Sequence, residues 1–395
     1  MQMPKYCPNC EKPLELKLIN LESAILLCTN LKCPYPVEVI FTLLLPVFSG
    51  AASGINNLAT DLENWMSNLP ESLRNMPINH LAIPGSHDSF TNDITSKSDV
   101  SPDGEDILKK LQFSSIVKLV MANWSVTQAY NVLEQLQAGI RYFDLRICKN
   151  YDNNKLRFCH GMYSTKVTSV MQDILVFLNG HPKEVVILDC QHFYNFTDTI
   201  HLELIHYFYD TFGEKLIPYQ SNMDFLTLAN LTNQRKQVLL VYRNSNQNDH
   251  QALLWPDESF PTPWYNTMNS KYLISSLEEG LASRTSNTGY ISQLILTPNA
   301  DNILLNLLTS LKQKCAIEFQ STRSQWISNQ TPAGKNGVNV IIGDFVDLGR
   351  DAFTKAVINL NLKLLETDTS AGHRASFEFN IFRFVIPKIA KLFSI

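Results

Sequence analysis

The chain has 395 residues, of which 45% are apolar and 18% charged, and its formal net charge is −4. This composition is typical of a globular protein with room for one large domain plus a small one. The acidic balance argues against a general nucleic-acid-binding protein, although it permits a local basic patch at a membrane surface.

The N-terminus shows no signal-peptide pattern, because MQMPKYCPNCEKPLE opens with cysteines and charges instead of an apolar core. The longest apolar stretch covers residues 37–48 and is interrupted by Pro46. It is too short for the ~20 residues that a membrane-spanning helix needs. We therefore expect a soluble or peripheral protein of the cytoplasm.

Four of the eight cysteines crowd the first 33 residues, in CPNC and CTNLKC: Cys7, Cys10, Cys28 and Cys33. Two close pairs can supply four thiolates to a structural zinc ion, and a module this small needs such a staple. The segment between the pairs suits a short hairpin. Residues 1–50 are therefore predicted to form a zinc-ribbon-like module that could bind a protein partner. Four unrelated buried cysteines are the alternative, and residues 51–60 are a predicted linker.

Apolar, strand-like runs recur from about residue 60 and alternate with helical patterns such as 125–138, 168–180 and 198–213. The runs are 79–86, 138–147, 155–161, 184–193, 236–243, 291–298 and 338–345. Near-continuous Val, Ile and Leu strands alternating with amphipathic helices indicate a buried parallel sheet. About seven strands in this length favour an α/β fold of the (β/α)8, TIM-barrel type over residues 61–365.

Polar residues fall where these runs end: His87, Asp88, Asp144, Arg146, His160, Gln191, Arg243 and Asp344. In such a barrel the carboxyl ends of the strands surround one mouth, where active sites lie. Arginines can bind a phosphate through two parallel hydrogen bonds, and imidazoles titrate near neutral pH. Each residue alone could be a helix cap or a satisfied core group, so their joint placement carries the prediction of a site for an anionic ester.

The stretches HLAIPGSHDSF, QLQAGIRYFDLRI and LRFCHGMYSTKVTSVMQDILVFLNGHPKEVVILDCQHF resemble the catalytic X domain of phosphatidylinositol-specific phospholipase C. The resemblance covers about residues 60–365 and is nearest to the X-domain-containing proteins without companion domains. It implies a distorted TIM barrel that cleaves an inositol phospholipid at a membrane surface. The products would be diacylglycerol and a cyclic inositol phosphate.

The resemblance also implies a role for each strand-end residue. His87 resembles the general base and Asp344 its orienting carboxylate. His160 resembles the general acid with Asp88 as its partner, and Arg146 would neutralise the phosphoryl oxygens. Asp144 would lie near the inositol 2-hydroxyl or support Arg146. Arg243 resembles an inositol-contacting residue. Trp255 is either a residue near the mouth or an ordinary packed aromatic side chain.

Calcium-dependent animal members of the family carry Asn, Glu, Asp and Glu where this chain has Asp88, Asp144, Arg146 and Gln191. Calcium needs six to eight oxygen ligands, and a guanidinium at position 146 would put a positive charge in their midst. The resemblance therefore implies a metal-independent site of the bacterial type. Bacterial members carry Lys near position 191, so Gln191 is a departure from their inositol site.

Residues 366–395 form a predicted closing segment, either a last strand and helix or a surface that rests on anionic lipid. Two other functions stay open at this stage. The barrel could be a phosphoinositide-binding adaptor without turnover, or a phosphodiesterase that acts on a soluble glycerophosphodiester. Intact His87, His160, Arg146 and Asp344 argue against the adaptor.

Overall fold

The computed structural model describes residues 14–20, 23–28, 57–104, 114–244, 252–334 and 336–365. The chain divides into two compact units, Met1–Asn56 and Asn57–Ile395, and their boundary falls within the predicted linker. The predicted closing segment 366–395 lies outside the described residues.

The first unit contains an antiparallel hairpin of β1 (Leu14–Asn20) and β2 (Ser23–Cys28), in which Leu14 lies opposite Cys28. A hairpin was predicted here, between the two cysteine pairs. Cys7, Cys10 and Cys33 lie outside the described residues, so the zinc-ribbon-like module stays a prediction.

The second unit is built on a mixed eight-stranded sheet. Its parallel part runs in the spatial order β9, β10, β3, β4, β7, β8. An antiparallel hairpin of β5 and β6 is added to β4. The strands are β3 (Ile83–Ser86), β4 (Tyr142–Asn150), β5 (Lys155–His160), β6 (Met162–Lys166), β7 (Val186–Tyr194), β8 (Val238–Tyr242), β9 (Ile291–Gln293) and β10 (Val340–Gly343).

The α/β class is confirmed, but strand ladders do not close the sheet into an eight-stranded parallel barrel within the described residues. Between β8 and β9 an irregular segment, residues 254–261, spans the gap. The Trp255 carbonyl accepts a hydrogen bond from Tyr242, and the Pro261 carbonyl accepts one from Ile291. This segment bridges the two edge strands without forming a ladder with either.

The run at 155–161 is a strand, as predicted, but it is antiparallel to β4 instead of a further parallel strand. The chain reverses at residues 151–154, where Asn154 has a φ of 55°. Asn tolerates this left-handed conformation better than most residues and therefore permits the tight return.

The helices of the second unit surround the sheet. They are α1 (Glu71–Arg74), α2 (Ser115–Ser125), α3 (Val132–Gln137), α4 (Val167–Gly180), α5 (Asp198–Phe212), α6 (Leu228–Asn233), α7 (Ser270–Ser283), α8 (Ala300–Leu305), α9 (Gln320–Asn329) and α10 (Leu348–Asn359). In α4 the residues Val167, Val170, Met171, Ile174 and Leu178 are buried, so one helical stripe packs on the sheet. None of the described helices combines the length and apolarity that crossing a bilayer requires.

The predicted helix over 125–138 is shorter than expected, because α3 begins only at Val132. Asn131 and Glu134 form a capping box that starts the helix there. Residues 126–131 precede it as an irregular connection. This connection runs past the strand ends that carry the polar residues described next.

Candidate active site

The parallel strands bring their polar ends together. Ser86 of β3 lies opposite both Gly343 of β10 and Phe143 of β4, so His87, Asp344 and Asp144 follow at neighbouring positions. Because the three strands are parallel, all three side chains meet at the carboxyl edge of the sheet. The three are almost completely buried.

His87 is held by Asp344. Its Nδ1 donates to Asp344 Oδ1 at 2.8 Å, which leaves Nε2 as the nitrogen that faces the remaining charged groups. Burial alone would lower the pKa of His87, but the carboxylates of Asp88 and Asp344 outweigh it and raise the pKa to about 9. The imidazole therefore carries a proton readily in the free protein.

Asp88 lies among three cationic or ionisable groups. One carboxylate oxygen contacts Arg146 Nε, and the other is 3.5 Å from His87 Nε2 and 3.4 Å from His160 Nε2. Burial opposes ionisation, but Arg146 and the two imidazoles lower the pKa of Asp88 below its usual value. The residue has a φ of 40°, a conformation that costs energy for a side chain other than Gly.

His160 reaches the same place by a different route, since it ends β5 and not a parallel strand. Its Nδ1 donates to the Ser125 carbonyl at 2.9 Å, which orients the ring and points Nε2 toward Asp88. Both Nε2 atoms lie within 3.5 Å of Asp88 Oδ2, so they are at most about 7 Å apart. A single phosphoryl group could therefore contact both imidazoles.

Arg146 completes the cluster. Its Nη2 is 3.1 Å from His87 Nε2, and its side chain retains some exposure toward the mouth. Burial works against the charge, but Asp88 and Asp144 raise the pKa of Arg146 above its usual range. Burial and the neighbouring Asp88 raise the pKa of Asp144 to about 6.

His87, Asp88 and Asp144 could hold a metal ion by themselves, because one ligand atom from each lies within 4.8 Å of the others. The Arg146 guanidinium, however, contacts Asp88 and lies 3.1 Å from His87 Nε2. A divalent cation bound there would stand against this fixed positive charge. With Arg146 in this position the three residues do not fit a divalent cation.

Arg243 and Gln191 lie together on the next strands. Arg243 forms a bidentate pair with Asp189, with Nε–Oδ1 and Nη2–Oδ2 distances of 2.8 and 2.7 Å. Gln191 Nε2 donates to Asp189 Oδ2 and to the Tyr142 hydroxyl, both at 3.1 Å. A role for Arg243 and Gln191 in binding the substrate stays a prediction, since both already bind Asp189.

Trp255 is fully buried, and its indole N–H donates to the Ile217 carbonyl at 2.9 Å. It packs against Tyr219 and Phe260 in the core. The structure therefore corrects its inclusion among substrate-binding residues, because a side chain with no exposed surface cannot contact a substrate at the mouth.

Sequence reasoning missed the groups that support this cluster from behind. Gln128 and Thr127 contact the backbone of His87 and Asp88, and Arg323 Nη1 donates to the Asp344 carbonyl at 2.7 Å. The capping box at Asn131 was the available signal, because it shows that residues before 132 are not helical. Nothing in the sequence pattern points to Arg323.

The fold is that of the phosphatidylinositol-specific phospholipase C type. The family description "Phosphatidylinositol-specific phospholipase C, X domain" matches residues 112–244. Crystal structures of phosphatidylinositol-specific phospholipase C from Staphylococcus aureus and Listeria monocytogenes share the fold, with TM-scores of 0.54 and 0.53. They are 18% and 19% identical and cover 77% of this chain and 99% and 98% of their own. These bacterial proteins share the TIM-barrel-like architecture.

The chain is 37% identical over 313 residues to PI-PLC X domain-containing protein 3 of Danio rerio, covering 78% of this chain and 96% of the relative. It is 39% identical over 301 residues to PI-PLC X domain-containing protein 2 of Mus musculus, covering 75% and 87%. The chain belongs to the family of PI-PLC X domain-containing proteins.

Proposed function

We propose that the protein is a phosphodiesterase of the phospholipase C type that cleaves an inositol phospholipid. The observation that carries the proposal is the convergence of His87 Nε2 and His160 Nε2 on one carboxylate beside Arg146. Two imidazoles and one guanidinium around one anion site supply a base, an acid and charge neutralisation for phosphoryl transfer.

In the proposed reaction the neutral form of His87 takes the proton of the inositol 2-hydroxyl at Nε2. The hydroxyl oxygen forms a bond to phosphorus while the bond from phosphorus to the diacylglycerol oxygen breaks. His160 Nε2 delivers a proton to that departing oxygen, so diacylglycerol and a cyclic 1,2-phosphodiester leave. Asp344 holds His87, the Ser125 carbonyl orients His160, and Arg146 stabilises the phosphoryl charge.

The raised pKa of His87, about 9, makes the activity depend on pH. The free protein holds most of its His87 protonated near neutral pH, so the base form grows as pH rises toward 9. We expect kcat/KM to increase with pH over this range, because the base must lose its proton before it can act.

Exposed leucines near the mouth support a membrane surface as the place of action. Leu304, Leu305 and Leu308 are 64%, 83% and 100% exposed, and they follow the carboxyl end of β9. Lys312, a few residues further, pairs with Asp347 just beyond β10, which keeps this segment at the mouth end. Burying such side chains in lipid is favourable, so they suit a bilayer that presents the substrate.

The first experiment incubates the protein with phosphatidylinositol vesicles in the presence of a chelator and follows cyclic inositol phosphate by ³¹P NMR. We expect product from the parent protein and a loss of about 10²–10⁴-fold from His87→Ala or His160→Ala. A parent protein without product would favour the phosphoinositide-binding adaptor. Activity that depends on added calcium would contradict the role of Arg146.

A second experiment separates a lipid from a soluble glycerophosphoinositol substrate. The double variant Leu305→Ser/Leu308→Ser should bind vesicles about tenfold more weakly, with unchanged turnover of the soluble compound. Leu202→Ser is the matched control, because Leu202 is an exposed leucine on α5 at the flank. Equal vesicle binding by the leucine variant and the parent would favour the soluble substrate.

We also propose that Cys7, Cys10, Cys28 and Cys33 bind a structural zinc ion. The antiparallel pairing of β1 and β2 supports this, since it places Leu14, four residues after Cys10, opposite Cys28. Four thiolates leave no open coordination position, so the zinc would hold the fold and not take part in the chemistry. Metal analysis of the purified protein should give one zinc per chain, and Cys7→Ser/Cys10→Ser should lose it without a change in phosphodiesterase activity.

A further inference from the structure

A single buried side chain joins the two strand ends that carry the proposed base and its carboxylate. The strand pairing of β3 and β10 ends at Ser86 and Gly343, and one further backbone bond runs from the His87 N–H to the Gly343 carbonyl at 3.2 Å. At this point Gln128 Nε2 donates to the His87 carbonyl and to the same Gly343 carbonyl, each at 2.9 Å. Gln128 Oε1 accepts from the Val346 backbone N–H at 3.3 Å. Its amide therefore reinforces the last backbone connection between the two strands and extends it to the His87 carbonyl and the Val346 N–H.

The neighbouring Thr127 binds the residues on the other side of the pair. Its hydroxyl donates to the Asp88 carbonyl at 2.9 Å, and its own carbonyl accepts from Phe345 N–H at 2.7 Å. Asp88 and Phe345 have φ values of 40° and 47°. Such backbone conformations persist only where surrounding contacts hold them. Residues 127 and 128 thus fix the backbone at both His87 and Asp344.

We propose that Gln128 is a positioning residue, which sets the distance between the His87 imidazole and the Asp344 carboxylate through the backbone of the two strand ends. The inference rests on the proposed phosphodiesterase function for its catalytic meaning. Gln128 itself does not touch the substrate, because its side chain is fully buried behind His87.

The consequence for His87 follows from its surroundings. The charged and titratable groups that face it are Asp88 beside it, Asp344 from β10, and Asp144 and Arg146 from β4. The Nδ1–Oδ1 bond of 2.8 Å to Asp344 belongs to the interactions that favour the protonated ring. If the strand ends separate, this bond lengthens and the protonated form loses stabilisation.

The experiment compares Gln128→Met, which keeps the size but removes the amide, with Gln237→Met. Gln237 is the matched control, because it is a buried glutamine whose Nε2 donates to the His181 carbonyl at 2.9 Å and the Glu184 carbonyl at 3.0 Å. These contacts lie ahead of β7 and β8, at the opposite end of the sheet from His87. Both variants lose buried hydrogen bonds, so both should unfold at a lower temperature.

Two readouts distinguish positioning from general stability. NMR titration of the histidine rings, with His87→Ala for assignment, should show the pKa of His87 falling from about 9 toward 6.5 in Gln128→Met only. On phosphatidylinositol vesicles kcat should fall by about 10- to 100-fold with KM nearly unchanged, since a small misplacement of a catalytic group is costly. Gln237→Met should leave the pKa of His87 and kcat as in the parent.

An unchanged pKa of His87 in Gln128→Met, or an equal change in Gln237→Met, would overturn the inference. Should Gln128→Met not fold, Gln128→Asn keeps the amide but shortens its reach, and the same two readouts apply to it. The titration requires no turnover. A parent protein that cleaves no phosphodiester would therefore sink the proposed function, while the titration still decides the role of Gln128.

Discussion

Arg141 and Arg146 lie five residues apart, and each pairs with a buried carboxylate. The two ion pairs lie at opposite ends of the sheet and differ in their surroundings. Arg141 lies just before β4 and is fully buried, and its Nη2 is 2.9 Å from Oε2 of the equally buried Glu184. It also donates to the carbonyls of Leu136 and Ile140, and Glu184 accepts from Ser67. Arg146, inside β4, shares Asp88 with two imidazoles and keeps part of its side chain exposed.

The difference lies in how completely the charges are matched. Around Arg141 the guanidinium and the carboxylate both have regular hydrogen bonds on every side. At the mouth, the oxygens of Asp88, one oxygen of Asp144 and the Nε of Arg146 have contacts but no regular hydrogen bond, as judged within the described residues. Breaking a matched buried pair is costly to the fold, whereas an unmatched cluster keeps polar atoms that a ligand can still contact.

The largest expected effect is at the matched end. Arg141→Met leaves Glu184 as an uncompensated buried charge, so the free energy of unfolding should fall by about 3–5 kcal/mol. Urea denaturation measures this. The double variant Arg141→Met/Glu184→Leu should recover part of the loss, because no buried charge remains. A single variant that is as stable as the parent would mean that the two ends do not differ as described.

The second prediction concerns Arg146 at the mouth, where the loss of activity should be large and the loss of stability small. Arg146→Met should lower kcat by about 10²–10³-fold on phosphatidylinositol vesicles, because the phosphoryl charge loses its guanidinium. Its stability loss should be roughly 1–2 kcal/mol and therefore smaller than for Arg141→Met, since both imidazoles still face Asp88. A stability loss equal to that of Arg141→Met, with activity retained, would give Arg146 a purely structural role.

These two arginines also mark what the sequence could predict. His87 and Asp344 were found because each directly follows an apolar run, and parallel strands place such residues at one edge. Arg146 was found because it lies near the end of the predicted run 138–147, although the structure places it inside β4. Arg141 stands at the start of the same run and was given no role. The alternation of side chains along a strand does not reveal that Arg141 pairs with the carboxylate of Glu184, more than forty residues away in the sequence.

The parts that the sequence did not predict depend on contacts with the backbone or on chain direction. Gln128 and Arg323 act on carbonyl groups, which leave no trace in a pattern of side chains. The strand at 155–160 was expected, but its antiparallel direction was not, although YDNN at 151–154 is a strong turn signal. That direction is what carries His160 back to the mouth.

A third prediction concerns the unmatched carboxylate Asp144. Its pKa of about 6 in the folded protein lies above its ordinary value of 3.8. The stability that this group contributes is therefore fully present below pH 3.8 and is lost as pH rises through 6. Asp144→Asn keeps an acceptor for the Asp88 N–H and has no charge to desolvate, so it should be more stable than the parent by roughly 1–3 kcal/mol at pH 7.

Urea denaturation of parent and Asp144→Asn at several pH values between 4 and 8 provides the measurement. The two stability curves should approach each other at the acid end and separate as pH rises through 6. A constant offset between Asp144→Asn and the parent would show that Asp144 is already ionised at pH 4.

The smallest effect is expected for Gln191, which lies beside the matched pair of Asp189 and Arg243 near the mouth. Asp189 is bound by both arms of Arg243, so the donation from Gln191 at 3.1 Å is an addition to an already satisfied carboxylate. Gln191→Met should therefore change the free energy of unfolding by less than about 1 kcal/mol. If Gln191 contacts the inositol ring, KM for phosphatidylinositol should rise by less than about tenfold while kcat stays unchanged, because only uniform binding is lost. A fall in kcat of the size expected for Arg146→Met would instead place Gln191 next to the reacting atoms. The catalytic cluster would then include a residue of β7.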